Sequence, residues 1–354
     1  MDEPLFRDGD RVCLPAPAAL LPCRSHPESE GITAHHVQWV RRSLPFLEEP
    51  QLQSLLGAHY DRWVCMCFPD IARDIAEDLT NLVTLMFLAD DLTSRPGRDT
   101  SSVTHTRAAY DALLDVMQGT RAHPRSAGQL PVSLLTLAGE LFGSIRARMP
   151  TTQWHRWANN MRAWAEGAIQ ETAVRRRGKP LSFAEYLTLR RHSVCVTPWC
   201  VLGEYGLGID LSAIAEHPAF RDLIGAVTDH ALLTNDLHSF RAEHYNGDDI
   251  NVIAVLCRAE GLSLQGAVDR TSMMIHDAEH SFIQQRERIR SSSMGSTAEM
   301  HVYFQALGHL LAGNTRWSYL TGRYHGNGYE WNGALSGTIT LTPDCTVRLQ
   351  EGTA

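Results

Sequence analysis

Three oxygen-bearing side chains recur at helical spacing in the run T-N-D-L-H-S-F-R-A-E. Asn235, Ser239 and Glu243 stand four residues apart, so on an α-helix they turn through roughly 80° over roughly 12 Å and share one face. An amide oxygen, a hydroxyl and a carboxylate form an oxygen-only ligand set suited to Mg²⁺. A solvated polar stripe has the same spacing, but this one continues the apolar run L-I-G-A-V-T-D-H-A-L-L and should point inward. We therefore predict a metal site on this helix.

A pair of adjacent carboxylates, Asp90 and Asp91, follows the strongly apolar run L-V-T-L-M-F-L-A. Two carboxylates at the end of a buried helix are unfavourable unless a cation or solvent compensates their charge. Two interpretations are open. The pair either caps the helix in water or binds Mg²⁺ together with waters and substrate phosphates.

Helical periodicity runs through most of the chain, and helices must therefore position these groups. Apolar residues between 71 and 86 follow spacings of three and four. The same test predicts helices near 105–118, 131–148, 152–173, 182–206, 219–244, 250–260, 264–290 and 299–322. Without repeats or a shift in composition, the pattern predicts an all-α fold with one helical domain over residues 31–326. Residues 1–30, rich in proline, predict an extended N-terminal arm, and residues 327–354 a turn-rich C-terminal tail.

Composition narrows the class of ligand. The chain has 354 residues, of which 44% are hydrophobic, and a formal net charge of −8. An acidic surface offers no face for nucleic acid or anionic lipid, so an anionic ligand must meet a local cation cluster or a metal. The N-terminus lacks a secretory pattern and no run of about 18 apolar residues follows, so we expect a cytoplasmic protein without a membrane span. The eight cysteines predict buried thiols, because Cys65 and Cys67 are too close for a good zinc chelate.

The metal-binding patterns resemble those of class I terpene synthases. N-D-L-x-S-x-x-x-E is similar to the second metal motif of that family, and Asp90-Asp91 to the start of its aspartate-rich first motif. The 145 residues from Asp90 to Asn235 fit microbial members. Thr93 and Ser94 stand where the family usually carries a further acid. The resemblance implies that Asp90 is the main ligand of the first motif, and that Asp91 is a supporting, hydrogen-bonding carboxylate.

Two further segments resemble the parts of this family that bind diphosphate. Arg323-Tyr324, in N-T-R-W-S-Y-L-T-G-R-Y, is similar to the C-terminal pair that binds diphosphate as the site closes. In Y-L-T-L-R-R-H-S-V-C-V-T-P-W, Arg191 lies 44 residues before Asn235 and resembles the diphosphate-sensing arginine. Arg190 competes for that role. We favour Arg191 because its spacing to the following helix break fits better.

The segment after these arginines predicts a helix break. By resemblance, Val194 and Cys195 occupy the linker and effector positions of the break, and Pro198 favours a break independently because it removes a backbone donor. A basic run farther upstream, Arg175-Arg176-Arg177-Gly178-Lys179, is predicted to be a solvated loop rather than a phosphate site.

The resemblance implies three Mg²⁺ ions, a prenyl diphosphate substrate and an apolar cavity that holds a carbocation. Aromatic faces stabilise cations through the ring quadrupole, and apolar walls exclude water. We rank Trp154, Trp157 and Trp164 as weaker candidates for such a wall. The stronger candidates are Phe68, Phe87, Trp199 and Trp317.

The run R-R-H-S-V-C-V-T-P-W-C-V-L-G-E-Y-G is most similar to bacterial diterpene cyclases. It implies geranylgeranyl diphosphate as the substrate, a polycyclic hydrocarbon as the product and farnesyl diphosphate as the second candidate. A chain-elongating prenyl synthase needs a second aspartate-rich motif, which the Asn/Ser/Glu motif replaces here. A class II cyclase needs a D-x-D-D acid that the sequence lacks. A non-catalytic helical binding protein and a homodimer stay open.

Overall fold

The computed structural model describes residues 5–17, 20–94, 102–120 and 130–343, and most of them are helical. The helices are α1 (Ser29–Ser43), α2 (Glu49–Gly57), α3 (Tyr60–Cys67), α4 (Arg73–Ser94), α5 (Val103–Gln118), α6 (Val132–Arg148), α7 (Thr151–Arg177), α8 (Phe183–Ser193), α9 (Val196–Gly206), α10 (Pro218–Tyr245), α11 (Val252–Glu260), α12 (Leu264–Arg290), α13 (Ala298–Leu320) and α14 (Gly322–His325). A 3₁₀ helix spans Ser293–Ser296, and the strands are β1 (Arg11–Leu14) and β2 (Gly337–Thr340). The predicted all-α fold class is confirmed.

Helix ends lie where the sequence carries stop and start residues. Gly178 follows α7 with a φ of 61°, a left-handed conformation that glycine adopts without steric strain. Ser182 then opens α8 in a capping box with Glu185, in which each side chain accepts from the other residue's backbone N–H. Pro218 is the first residue of α10, where its missing N–H leaves no hydrogen bond unmade.

The bundle packs around α10 and α13, which cross its interior. α10 lies against α12 and α13, α7 lies between α5 and α8, and α13 lies against α3. Gly313 permits the last contact, because a Cβ at this position would lie 2.5 Å from the carbonyl carbon of Met66. A cavity lies among α3, α4, α7, α8, α9, α10, α13 and α14.

The two terminal segments pair with each other. β1 and β2 are antiparallel, with Val12 opposite Ile339. The Cys13 backbone N–H also donates a hydrogen bond to the side-chain oxygen of Gln265 on α12 at 2.8 Å. The sequence predicted an extended arm and a turn-rich tail but not their pairing, because pairing between segments so far apart leaves no local pattern. α1 begins two residues before the predicted domain start at residue 31. The domain boundaries themselves stay a prediction.

Cysteine placement follows the prediction of buried thiols only in part, since Cys23, Cys195 and Cys257 are partly exposed. Cys65, Cys67 and Cys200 are buried, and burial raises the pKa of the Cys65 thiol to about 12. Cys13 is an exception because it is exposed, and Cys345 lies outside the described residues. Among the described helices, none is both long and apolar enough to cross a membrane.

Candidate active site

A cavity of about 200 Å³ brings most of the predicted site residues together. Its apolar wall includes five aromatic side chains, and its polar groups come from six helices and the loop after α10. The polar lining comprises Asp90, Glu171, Arg175, Ser193, Asn235, Glu243, Asp248, Asn314, Arg323 and Tyr324, together with Arg190.

The predicted metal face of α10 points inward. Asn235 and Glu243 line the cavity, and Ser239 lies one turn from each and is buried. The Asn235 Oδ1 accepts from Arg190 at 3.0 Å, while its Nδ2 donates to the hydroxyl of Tyr324. The shared face therefore has the orientation that the spacing predicted, although Ser239 is set back from the cavity surface.

The electrostatics of this face favour a cation. Burial, together with the charges of Asp236 and Asp248, raises the pKa of Glu243 to about 8. The Ser239 Oγ is buried and meets no hydrogen-bond partner within the described residues. A divalent cation would supply the missing partner and offset the repulsion between carboxylates.

The available donors also suit a hard cation. Within the described ranges, no three His, Cys, Asp or Glu side chains converge in a metal-binding group. Beside the Glu243 carboxylate, the amide of Asn235 and the hydroxyl of Ser239 offer two further donors to an ion. These are oxygen donors, which fit Mg²⁺ rather than a thiolate- or imidazole-binding metal.

The first-motif carboxylates have different surroundings. Asp90 lines the cavity, and its Oδ1 accepts from the hydroxyl of Tyr110 at 2.9 Å. Burial and the neighbouring charge of Asp91 raise the pKa of Asp90. Asp91 is outside the cavity lining and binds Arg323 through two parallel hydrogen bonds of 2.8 and 2.9 Å. This geometry fits the predicted division between a ligand and a supporting carboxylate.

On the role that the resemblance implies, Asp90→Asn should lower kcat/KM for a prenyl diphosphate by at least about 100-fold, because it removes a carboxylate expected to hold Mg²⁺ beside the leaving group. Asp91→Asn should lower it by about 10-fold, because the neutral side chain still accepts one hydrogen bond from Arg323. Steady-state kinetics at saturating Mg²⁺ would measure both. Equal losses would contradict the division of roles.

The preference for Arg191 over Arg190 is wrong in this structure. The Arg191 side chain is 46% exposed and binds Asp229 on the surface at 2.6 Å. The Arg190 side chain is only 11% exposed, lines the cavity and donates to Asp236 at 2.8 Å and to Glu171 at 3.0 Å. Consecutive helical residues point about 100° apart, and here this rotation directs Arg190 into the cavity and Arg191 toward the surface.

The predicted helix break is present between α8 and α9. Val194 and Cys195 both line the cavity, and Cys195 has a φ of 64°, which is strained for a residue other than glycine. A Cβ at Gly167 of α7 would lie 2.8 Å from the backbone nitrogen of Ser193. The absence of a side chain at Gly167 therefore allows the α8–α9 break to pack closely against α7. In this position the break lines the cavity.

The sequence predicted that the basic run beginning at Arg175 forms a solvated loop. The structure contradicts this prediction. α7 continues to Arg177, and Arg175 lines the cavity. Its guanidinium pairs with Asp248 at 2.6 Å and lies 3.9 Å from Glu171, one turn earlier. The spacing of Glu171 and Arg175 was the available sequence signal, since an i, i+4 pair shares one helix face. Arg176 and Arg177 are exposed as predicted.

Three of the four predicted wall aromatics line the cavity, and Phe68 does not. Its ring lies behind the wall, with its centroid 6.1 Å from that of Trp199. Trp63 lies closer to Trp199, at 4.9 Å, and occupies the wall in its place. The aromatic lining comprises Trp63, Phe87, Trp164, Trp199 and Trp317.

Trp164 and Trp157 show why the sequence alone could not tell which tryptophans line the cavity. Both are buried on α7, but Trp164 faces the cavity whereas Trp157 packs against Phe142 and Trp154 in the core. Both residues lie in the same apolar helical pattern, whether they face a cavity or the core. Only the arrangement of the neighbouring helices separates cavity wall from core.

Comparisons with known proteins identify the family to which the chain is similar. The sequence model of terpene synthase family 2, C-terminal metal binding, matches residues 81–281. A (3S,6E)-nerolidol synthase of Selaginella moellendorffii is 30% identical over 93% of this chain and 88% of its own. Sesquiterpene synthase 6 of Postia placenta is 25% identical over 86% and 87%. The crystal structure of the SVS_A2 protein from ancestral sequence reconstruction has a TM-score of 0.76 at 23% identity, covering 86% and 90%.

Proposed function

Because the chain belongs to terpene synthase family 2, we propose that it is a Mg²⁺-dependent class I cyclase that ionises a prenyl diphosphate and cyclises the carbocation. Terpene synthases are lyases that act on prenyl diphosphates. The observation that carries the proposal is the union of Asp90, Asn235, Glu243 and Arg190 with an aromatic wall in one cavity.

Asp90, Asn235, Ser239 and Glu243 would hold the Mg²⁺, with three ions expected from the family resemblance. When bound, Mg²⁺ neutralises the negative charge that develops on the leaving diphosphate. Asp91 supports this end indirectly, because its two hydrogen bonds fix the orientation of Arg323.

The cationic side chains would bind and orient the diphosphate. Three arginines line the cavity, namely Arg190, Arg323 and Arg175. Each pairs with a carboxylate that holds its guanidinium in a fixed orientation. A guanidinium offers two parallel donors to phosphate oxygens, which a lysine cannot do. The hydroxyl of Tyr324 would add a neutral donor. Arg190 replaces Arg191 as the proposed diphosphate sensor.

The aromatic wall would shield the cation from water. Arg323 lies 4.6 Å above the ring of Phe87, so this ring face already stabilises a positive charge. The neighbouring break at Val194 and Cys195 would turn backbone groups toward the reacting chain, in the linker and effector roles that the resemblance implies.

Farnesyl diphosphate is the proposed substrate. Relatives such as sesquiterpene synthase 6 carry names that specify a fifteen-carbon product, and this similarity favours the shorter prenyl chain. Geranylgeranyl diphosphate is the second candidate, favoured by the similarity of the Arg190–Gly206 run to bacterial diterpene cyclases.

Incubation with farnesyl or geranylgeranyl diphosphate, each with and without Mg²⁺, tests the proposal. We expect cyclic fifteen-carbon hydrocarbons by gas chromatography and mass spectrometry, and none with EDTA. Cyclic twenty-carbon products alone would reverse the choice of substrate. Linear elongated diphosphates, or no conversion of either substrate, would refute the cyclase assignment.

Trp164→Phe should change the product distribution while total turnover stays within about 10-fold of wild type, because wall residues steer the cation after ionisation. Trp157→Phe on the same helix is the matched control. It should lower the Tm without altering the product profile, since Trp157 packs only in the core. A shifted profile in the control, or none in Trp164→Phe, would contradict this distinction.

A further inference from the structure

Arg241 lies on α10 between two proposed metal ligands, but its side chain is directed elsewhere. It is buried, and its Nη2 donates to the Tyr324 carbonyl at 2.9 Å. Its Nη1 donates to the Thr342 carbonyl at 3.3 Å. We propose that Arg241 is a positioning residue that joins the Arg323-Tyr324 segment to the paired chain ends. This inference rests on the proposed function, in which that segment binds diphosphate.

The segment that carries Tyr324 needs such support. α14 has only four residues, and a helix of this length has negligible stability of its own. The Tyr324 hydroxyl accepts a hydrogen bond from Asn235, and its backbone carbonyl accepts one from Arg241. α10 therefore holds both ends of this residue, and the backbone contact fixes where the hydroxyl can reach.

The other acceptor of Arg241 belongs to a braced segment. Leu341, beside Thr342, is fully buried. Its N–H donates to the Asp10 carbonyl, and its carbonyl accepts from the Gly9 N–H, both at 2.8 Å. These bonds extend the β1–β2 pairing, so the Thr342 carbonyl is held by both terminal segments.

The chemistry of arginine suits this junction. A buried guanidinium must keep its hydrogen bonds, because an unpaired buried charge is strongly unfavourable. Its fork can reach two carbonyls from separate segments at once, whereas a lysine is a single point charge. Displacing the terminal sheet would thus remove a partner from Arg241 and loosen its contact with Tyr324.

Arg241→Met and Arg241→Lys test the inference, with Tyr245→Phe as the matched control. Tyr245 is on the same helix, and its hydroxyl donates to Asp8 of the N-terminal segment at 2.8 Å. We expect Arg241→Met to raise KM for the prenyl diphosphate about 10-fold with a smaller change in kcat. Amide exchange over residues 323–326 should accelerate by a similar factor. Arg241→Lys should be intermediate, and Tyr245→Phe should match wild type.

Unchanged KM and unchanged exchange in Arg241→Met would overturn the inference, as would equal effects in Tyr245→Phe. If Arg241→Met does not fold, Leu341→Ala replaces it, and normal exchange over 323–326 in that variant would be equally negative. A wild-type protein that converts no prenyl diphosphate would refute the proposed function instead. The exchange comparison would then still test the coupling.

Discussion

Arg190→Lys should lower kcat/KM by at least about 100-fold, whereas Arg191→Lys should stay within about threefold of wild type. Lysine keeps the charge but loses the bidentate fork, which matters only where the side chain meets the diphosphate. Arg190 lines the cavity, and Arg191 binds Asp229 on the surface. Steady-state kinetics at saturating Mg²⁺ would separate the two adjacent residues.

The two variants are well matched because each replaces an arginine of α8 by lysine. Circular dichroism and Tm should confirm that Arg190→Lys remains folded, since its partners Glu171 and Asp236 can each still bind an ammonium group. A greater loss in Arg191→Lys would restore the original preference. Similar losses in both would leave the sensing role unassigned to either and contradict the geometry.

Glu243→Gln should abolish measurable cyclisation, with a loss of about 1,000-fold or more in kcat. The amide has the same shape but lacks the charge needed to hold a divalent cation near the diphosphate. Asp222→Asn is the matched control, because Asp222 is an exposed acid on the same helix. Product formation across a Mg²⁺ titration would measure both variants. Full rescue of Glu243→Gln at high Mg²⁺ would mean that the carboxylate contributes affinity alone.

The same variant should be more stable than wild type in EDTA. In the folded protein the Glu243 pKa is raised to about 8, whereas an unfolded glutamate has a pKa of about 4.3. Between these values unfolding releases a proton, so the wild-type free energy of unfolding falls as pH rises. Glutamine does not titrate. The Tm advantage of Glu243→Gln should therefore grow from pH 5 to pH 8, and a variant that is less stable at pH 8 would contradict it.

Local sequence patterns predicted the inward orientation of one face of α10 and the position of the helix break correctly. Asn235 and Glu243 face the cavity because period 3.6 fixes their common direction, and Cys195 interrupts the helix just before Pro198. The error between Arg190 and Arg191 has a physical cause. The preference rested on the spacing to the helix break, but a difference of one residue rotates a helical side chain by about 100°.

Features that depend on several helices could not be predicted in this way. Phe68 and Trp63 are both buried aromatics on one short segment, and only the position of Trp199 decides which one reaches the cavity. Arg175 was assigned to a loop because three consecutive arginines resemble a solvated surface. Its partner Asp248 lies far away in the chain and close in space.

The β1–β2 pairing also sets an order for folding. β1 is synthesised near the beginning of the chain, but its partner strand comes after all fourteen described helices. Closing so long a loop has a large entropic cost, which is recovered only when the intervening bundle has already brought the ends together. The sheet should therefore form last. A nascent chain would present its metal-binding helices before the ends lock, and it would become competent for its substrate only at the final step of folding.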